Sequence, residues 1–352
     1  MAILWMDGFD HYGIGATSGD PAYTNMIAGP YSSIAGSGTL NVNAAAARTG
    51  PYGLYMDGIG CIRRPVSNPY ILGVSYAFYA TSLFGAGYQN GFNIYNETGT
   101  YAPATLSIGS DGSISLANIG AGGSYGTSAS GVVTVGAWHY IEGLFDIAAQ
   151  TARVQVDGVD VLNLTGVPYS VGAFAGSISF RTLGLSGART YADDVVVWDT
   201  TGAINNTFLG DRRVATLYPD GDTITASWLL NGASTGYECI NQTTPDGDAT
   251  YISALSTDPL PESSAFTLQN LPSGVAIVSA VQTVTMMKKT DTGPATVSTD
   301  IVSGTSVTTG ASKPVTPTYQ YYEDVFETDP ATGVAWTPSG VNGAKVNIRR
   351  VT

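Results

Sequence analysis

Apolar and polar positions alternate along most of the chain in short runs, and a 3.6-residue period is nearly absent. Side chains of a strand point to opposite faces in turn, so alternation over four to eight residues marks a half-buried strand. Residues 70–79 predict such a strand. So do 105–109 and 113–116, which Asp111-Gly112 joins as a hairpin. Over 152–164, Val154 and Val156 face one way, while Arg153, Gln155 and Asp157 face the other. Asp157-Gly158 turns the chain between them, which predicts a hairpin with one wet face. Strands at 138–142, 177–181 and 191–199 complete the set. Strands at this spacing with no helices between them predict a two-sheet sandwich.

The pattern changes over 199–222. A polar, turn-like segment (199–207) is followed by a short apolar connector (209–219). The expected organisation is all-β: two tandem β-sandwiches, a larger one over 1–210 and a smaller one over 211–352. The second half predicts strands at 223–228 and 266–268, along the run 275–287, as a Ser/Thr-rich pair near 295–309, at 319–326 and at 346–348. A helix is expected only after Trp336, over 338–342.

Composition narrows the function classes. The 352 residues fit two domains. Charged residues make up 12% of the chain, about half the usual share, against 44 Gly and 21 Tyr. Disorder and coiled coil are thereby excluded. The net charge is -13 and no Lys precedes Lys288, so capture of nucleic-acid phosphates is excluded. No run of 18 apolar residues exists, so no membrane span is expected. The start lacks a basic region ahead of an apolar core, so synthesis in a cytoplasm without a cleaved signal is expected. Cys61 and Cys239 lie in different halves and are expected as separate thiols.

Candidate chemistry is sparse. A Ser-His-Asp triad must use His11 or His139. His139 alternates with Trp138 and Tyr140 and is expected to face solvent or a sheet face; His11 is expected in a turn or on the surface. Glu142 and Asp146 share a face but stand four residues apart, and Glu323, Asp324 and Glu327 mix faces. Asp193-Asp194 and the pair Asp246 and Asp248 could bind calcium, though acids at strand ends more often hold loop backbone. The Asn-x-Thr triplets at Asn96, Asn163, Asn205 and Asn241 are read as chance. Tyr319 and Tyr321 should share a face, serving core packing, a protein interface or a glycan platform. Trp138 and Trp198 read as anchors of the sandwich core. No catalytic, cofactor-binding or metal-binding residue is assigned.

The segment Trp138-His139-Tyr140-Ile141-Glu142, the hairpin around Asp157-Gly158 and the strand Asp193-Asp194-Val195-Val196-Val197 follow the order of laminin-G-like, concanavalin A-like jelly rolls, which the first half resembles. The start (residues 3–12), the connector Phe208-Leu209-Gly210-Asp211-Arg212-Arg213-Val214 and the segment 328–337 resemble virion proteins of tailed bacteriophages that carry such a jelly roll. The resemblance implies a non-enzymatic structural protein of the particle: a capsid decoration, or a tail or baseplate component. It implies a virion location after assembly in the host cytoplasm, no cofactor, and other virion proteins and copies of itself as partners. Host-surface glycans are a further implied contact. The alternative is a glycan-binding host-recognition adhesin of the tail, and behind it a polysaccharide depolymerase acting through a pair such as Glu142 and Asp146. The glucanase pattern Glu-x-Asp-x-x-Glu is absent.

Overall fold

The computed structural model describes residues 2–15, 25–26, 29–33, 39–57, 61–66, 70–83, 88–96, 102–119, 123–169, 174–181, 189–223, 228–255, 257 and 259–352. The chain divides into two compact units, Met1–Val214 and Ala215–Thr352. The break falls a few residues beyond the expected 210/211, because residues 209–214 are hydrogen bonded to strands of the first unit. Among the described residues no helix is long and apolar enough to cross a membrane.

The first unit is a sandwich of two antiparallel sheets. Its strands in chain order are β1 (Ile3–Asp7), β2 (Ser32–Ser33), β3 (Thr39–Asn43), β4 (Gly53–Asp57), β5 (Cys61–Pro65), β6 (Ile71–Ala80), β7 (Tyr88–Asn96), β8 (Ala102–Gly109), β9 (Ile114–Ile119), β10 (Gly123–Thr127), β11 (Trp138–Asp146), β12 (Thr151–Val156), β13 (Val159–Thr165), β14 (Phe174–Arg181) and β15 (Arg189–Trp198). One sheet runs β13-β12-β11-β6-β15-β4-β3, with β1 also pairing β15; the other runs β10-β9-β8-β7-β14-β5-β2. Neighbours such as β6 and β15 are far apart in sequence, which is the crossed connectivity of a jelly roll.

Both predicted hairpins form. Ile108 pairs with Ile114 around a turn in which Gly112 has φ 76°. Val156 pairs with Val159, with Asp157 and Gly158 both at positive φ (52° and 78°) as a two-residue primed turn requires. Alternation then fixes the core. Tyr76 on β6 points inward, its ring 6.0 Å from Phe92 and 5.4 Å from Phe180 of the facing sheet. Phe145 reaches Phe92 at 5.8 Å. Leu106, Ile108, Ile141, Val154 and Ile178 fill the layer and are fully buried. Each such side chain contributes about 1.5–3 kcal/mol by leaving water.

Strand β15 contains one extra residue relative to β6. Asp193 pairs with Ala77 but Val196 pairs with Ser75, and Asp194 sits at φ 53°. The bulge reverses the parity of the strand. Tyr191 and Asp193 face outward before it, and Val196 and Trp198 face outward after it. Trp198 therefore lies against Gly73 of β6 on the outer side of the sheet, where a Cβ on Gly73 would stand 2.0 Å from the indole. Trp198 is fully buried there; it is an anchor, as expected, but not of the layer between the sheets.

The second unit contains β16 (Pro219–Asp222), β17 (Leu229–Asn231), β18 (Tyr251–Ser253), β19 (Glu262–Leu268), β20 (Val281–Met287), β21 (Thr296–Ser303), β22 (Ser306–Thr308), β23 (Lys313–Pro314), β24 (Gln320–Phe326), α1 (Pro338–Asn342) and β25 (Lys345–Arg350). Its main sheet runs β16-β19-β25-β21-β22, with β23 also on β21, and β17–β18 and β20–β24 form two ribbons. The β20–β24 ribbon packs on the main sheet around Ile301, Phe326, Trp336, Val341 and Ala344. The segment before Trp336 is a tight turn: Thr332 and Gly333 donate their amides to the Asp329 carbonyl, and Ala331 donates to its carboxylate. This delivers the indole inward, where Nε1 donates to the Phe326 carbonyl at 2.9 Å. Thr337 then caps the predicted helix by accepting from the Gly340 amide at 3.0 Å.

The run expected over 275–287 is a strand only from Val281. Residues 275–280 belong to none of the described strands, and Ile277 is 66% exposed. Of the strand expected over 223–228, residues 224–227 lie outside the described residues.

Replacing Gly73 by Ala should destabilise the first unit by about 1–3 kcal/mol through overpacking against Trp198. Trp336→Ala should cost the second unit about 3–5 kcal/mol. Urea unfolding followed by circular dichroism measures both; an unchanged midpoint in either variant would contradict this packing.

Candidate functional site

On β11, Phe145 fixes the inward parity, so Trp138, Tyr140, Glu142, Leu144 and Asp146 face outward. With Ser75, Ala77 and Tyr79 of β6, Tyr191 and Asp193 of β15, and Tyr55 and Asp57 of β4, they make up the outer face of the larger sheet. Two regions of this face differ in what lies over them.

The first region is covered by the connector. Glu142 is fully buried, and its Oε1 accepts from the amides of Leu209 (2.9 Å) and Gly210 (3.1 Å). Asp194 accepts from the Val214 amide at 2.8 Å, the Thr49 hydroxyl at 2.9 Å and the Arg48 guanidinium at 3.3 Å. Asp193 accepts from the amides of Arg48 (2.7 Å) and Thr49 (2.9 Å). Arg48 continues to Asp211 at 2.6 Å and lies over the Tyr140 ring, whose hydroxyl bonds Ser75 at 2.9 Å. Arg153 lies over Phe208, 5.0 Å from its centroid. Burial raises the pKa of Glu142 against the pull of its two amide donors. Burial first, and then the neighbouring Asp194, push Asp193 up to about 8; burial likewise raises Asp194.

The bulge explains why the adjacent Asp193 and Asp194 act together: it lets both reach Arg48 and Thr49. Their oxygens, and Oε1 of Glu142, hold backbone and guanidinium donors. Asp146 is occupied differently, accepting from the Ala149 amide at 2.8 Å in the turn after β11. Among the described residues no group of three or more His, Cys, Asp or Glu is placed to hold a metal ion.

Both histidines are tied into local structure, His139 on a sheet face and His11 in a turn. His139 points inward and fastens a turn. Its Nε2 accepts from the Thr134 amide at 3.0 Å, so Nδ1 carries the proton and donates to Asp157 at 2.7 Å. The Thr134 hydroxyl is also 3.0 Å from Nε2. Thr134, His139 and Asp157 thus stand in triad order, but the amide already occupies the lone pair a general base would need. His11 lies in the turn after β1, as expected, half-buried and 4.1 Å from the Tyr12 ring, and burial lowers its pKa while Asp7 opposes. Asp7 gathers the start of the chain, accepting from the Phe9 amide (2.7 Å) and the hydroxyls of Tyr12 and Tyr31 (both 2.8 Å).

In the second unit, Asp324 pairs with Lys313, Glu323 is half-buried and Glu327 is buried. Asp246 accepts from the Thr250 hydroxyl at 2.7 Å. Asp248 accepts from Lys288 at 2.8 Å and the Tyr319 hydroxyl at 2.7 Å, and Lys288 lies over the Tyr319 ring. Tyr319 is thereby fixed in a local network, and Tyr321 is half-buried on β24. Cys239 is a buried free thiol; the Cys61 side chain lies outside the described residues.

The second region of the outer face is an aromatic row. Register places Tyr55 of β4 opposite Tyr191 of β15, Tyr191 opposite Tyr79 of β6, and Tyr79 opposite Trp138 of β11. Ring centroids follow at 5.7, 5.3 and 5.5 Å. All four side chains are half-buried. Trp138 is therefore a member of this row and not a core anchor, because the inward position at that end of β11 belongs to His139. Asn41 of β3 stands opposite Tyr55, and Asp57 and Arg189 face each other one outward position along β4 and β15. The Tyr55 hydroxyl donates to Asp57 at 3.1 Å. Sequence reading missed the row. Tyr79, Trp138 and Tyr191 sat on predicted strands and Tyr55 on none, and only the non-sequential order β4-β15-β6-β11 brings the four together.

No protein-family model matches the chain, and no curated protein does. Solved structures give distant likenesses. The cellulose-induced protein Cip1 is 11% identical with a TM-score of 0.41, covering 55% of this chain and 96% of its own. A Bacillus subtilis protein described as having a galectin-like fold is 11% identical (TM-score 0.40; 56% and 96% covered). The carbohydrate-binding module CBM66 from Bacillus subtilis is 7% identical (TM-score 0.36; 48% and 96% covered).

The raised carboxylates set a pH dependence. Unfolded, they titrate near about 4; folded, Asp193 titrates at about 8, with Glu142 and Asp194 also raised. The folded unit thus holds protons the unfolded chain releases, so their stabilising contribution is full at about pH 4 and declines as pH rises to about 8. The melting temperature of the protein, followed by circular dichroism, should fall from pH 5 to pH 9, and a rise over that interval would contradict it.

Proposed function

We propose that this chain is a non-catalytic saccharide-binding protein whose contact surface is the row Tyr55, Tyr191, Tyr79 and Trp138. The single observation that carries the reading is that row: four amphipathic rings set side by side across four strands, bordered by Asn41, Asp57 and Arg189. Tyr and Trp present an apolar body with a polar tip, which suits the mixed C–H and hydroxyl surface of a sugar. At about 4.8 Å between strands, the row is about 14 Å long. That suits a short oligosaccharide, whereas a stable protein interface buries about 800 Å² on each partner.

Absence of catalysis is part of the proposal. Glycoside hydrolysis needs two carboxyl groups flanking the scissile bond. The outward carboxylates Glu142, Asp193 and Asp194 are engaged by the connector and by Arg48 and Thr49 instead.

A structural place in a virion, with other particle proteins and copies of itself as partners, is the second reading. The sequence resemblance implies it, and one observation favours subunit contacts: Leu229, Leu230, Tyr251 and Leu255, on and beside the β17–β18 ribbon, are 48, 44, 36 and 45% exposed. A binding protein on a particle exterior would combine both readings.

Saturable binding to at least one oligosaccharide class is expected on a glycan array, and Trp138→Ala or Tyr79→Ala should weaken it about tenfold or more, equivalent to about 1.4 kcal/mol. A blank array with folded wild-type protein would reject the saccharide reading. For the second reading, light scattering on the purified chain should show a defined oligomer that Leu230→Asp dissociates; a monomer at all concentrations would remove it.

A further inference from the structure

We infer that the aromatic row selects neutral over acidic saccharides, with one sugar ring stacked on Trp138 and hydroxyls at the opposite end read by the Arg189 and Asp57 pair. The inference rests on the saccharide-binding reading and specifies its ligand class.

Ring orientation decides where stacking is available. Tyr79 and Tyr191 are stacked on each other, 27° from parallel at 5.3 Å. Their faces are used within the row, so outward they offer ring edges and phenolic hydroxyls. Trp138 stands at the end of the row, tilted 52° to Tyr79. Beyond it, β12 pairs with β11 only from Ile141 onward, so among the described residues no paired strand residue lies opposite Trp138 on that side. The indole is the member of the row with a face to spare for a sugar ring.

The other end carries paired charge. Arg189 is exposed and lies opposite Asp57 in the ladder, where directly opposed Cβ atoms stand about 4.5–5.5 Å apart. Both influence Tyr55, in opposite senses. A guanidinium offers only donors and a carboxylate only acceptors. Side by side they match a pair of sugar hydroxyls, each of which donates and accepts.

The same pairing disfavours an anionic ligand. Asp57 offsets the charge of Arg189, so a uronate carboxylate arriving there finds no uncompensated cation. The wider field opposes it as well, since the chain carries a net charge of -13.

The test is calorimetric titration of the intact chain with neutral gluco-, manno- and xylo-oligosaccharides and with oligogalacturonates of matched length. A neutral ligand is expected to bind, with uronates at least about tenfold weaker. Asp57→Asn, which keeps the shape, should narrow that gap by strengthening uronate binding, and Arg189→Gln should weaken the neutral ligand. Uronates binding as tightly as neutral sugars to the wild type, or a gap unchanged in Asp57→Asn, would overturn the inference while leaving saccharide binding intact. Binding by neither class would instead remove the saccharide reading itself.

Discussion

The architecture of the first unit depends on satisfying buried carboxyl groups. A carboxylate out of water is stable only when paired or densely hydrogen bonded. Glu142, Asp193 and Asp194 are all held on the outer side of a sheet whose inner side is apolar. Their partners come from two stretches of chain, residues 48–49 and 209–214, and the Arg48 guanidinium ties one stretch to the other through Asp211. Breaking a buried ion pair by removing one partner costs about 3–5 kcal/mol. This couples the end of the unit to its middle more firmly than apolar contact would, and it makes residues 209–214 an integral part of the sandwich.

That fastening also divides the outer face into two regions. Where the acids lie, the surface is closed by the chain's own backbone. Where the acids end, the cross-strand positions turn aromatic, and the four rings are only half covered. A face that is polar and roofed at one end, and aromatic and accessible at the other, concentrates any recognition role on the second part. The phenolic hydroxyls, the Asn41 amide and the Arg189–Asp57 pair then supply directionality that apolar rings alone lack.

The local plan was legible in the sequence and the assembled site was not. Asp111-Gly112 and Asp157-Gly158 announce their turns because the required backbone angles are costly for most other residues. Alternation in Val154, Gln155 and Val156 orients that hairpin correctly. The short helix after Trp336 follows from Thr337 and Pro338, a capping residue ahead of a proline in the first turn. By contrast, the aromatic row depends on which strands become neighbours, and β4, β15, β6 and β11 are not adjacent in the chain. Trp138 departs from expectation for a related reason. Its size suggests a core anchor, but parity gives the inward position to His139, whose ring is tied to a turn. Alternation alone would divide Asp193 and Asp194 between faces, and a bulge invisible to periodicity brings them to the same partners.

That extra residue in β15 has an evolutionary corollary. Strand β15 takes three steps from Asp193 to Val196 where β6 takes two from Ala77 to Ser75, so losing one residue there would leave an unbroken ladder with Val196 still opposite Ser75 and Trp198 still opposite Gly73. A shortened descendant would therefore keep its layers and lose the carboxyl group that the surplus position presents, along with its ties to Arg48, Thr49 and Val214. An insertion elsewhere in the strand would lack that freedom, since it would turn every later side chain to the opposite face.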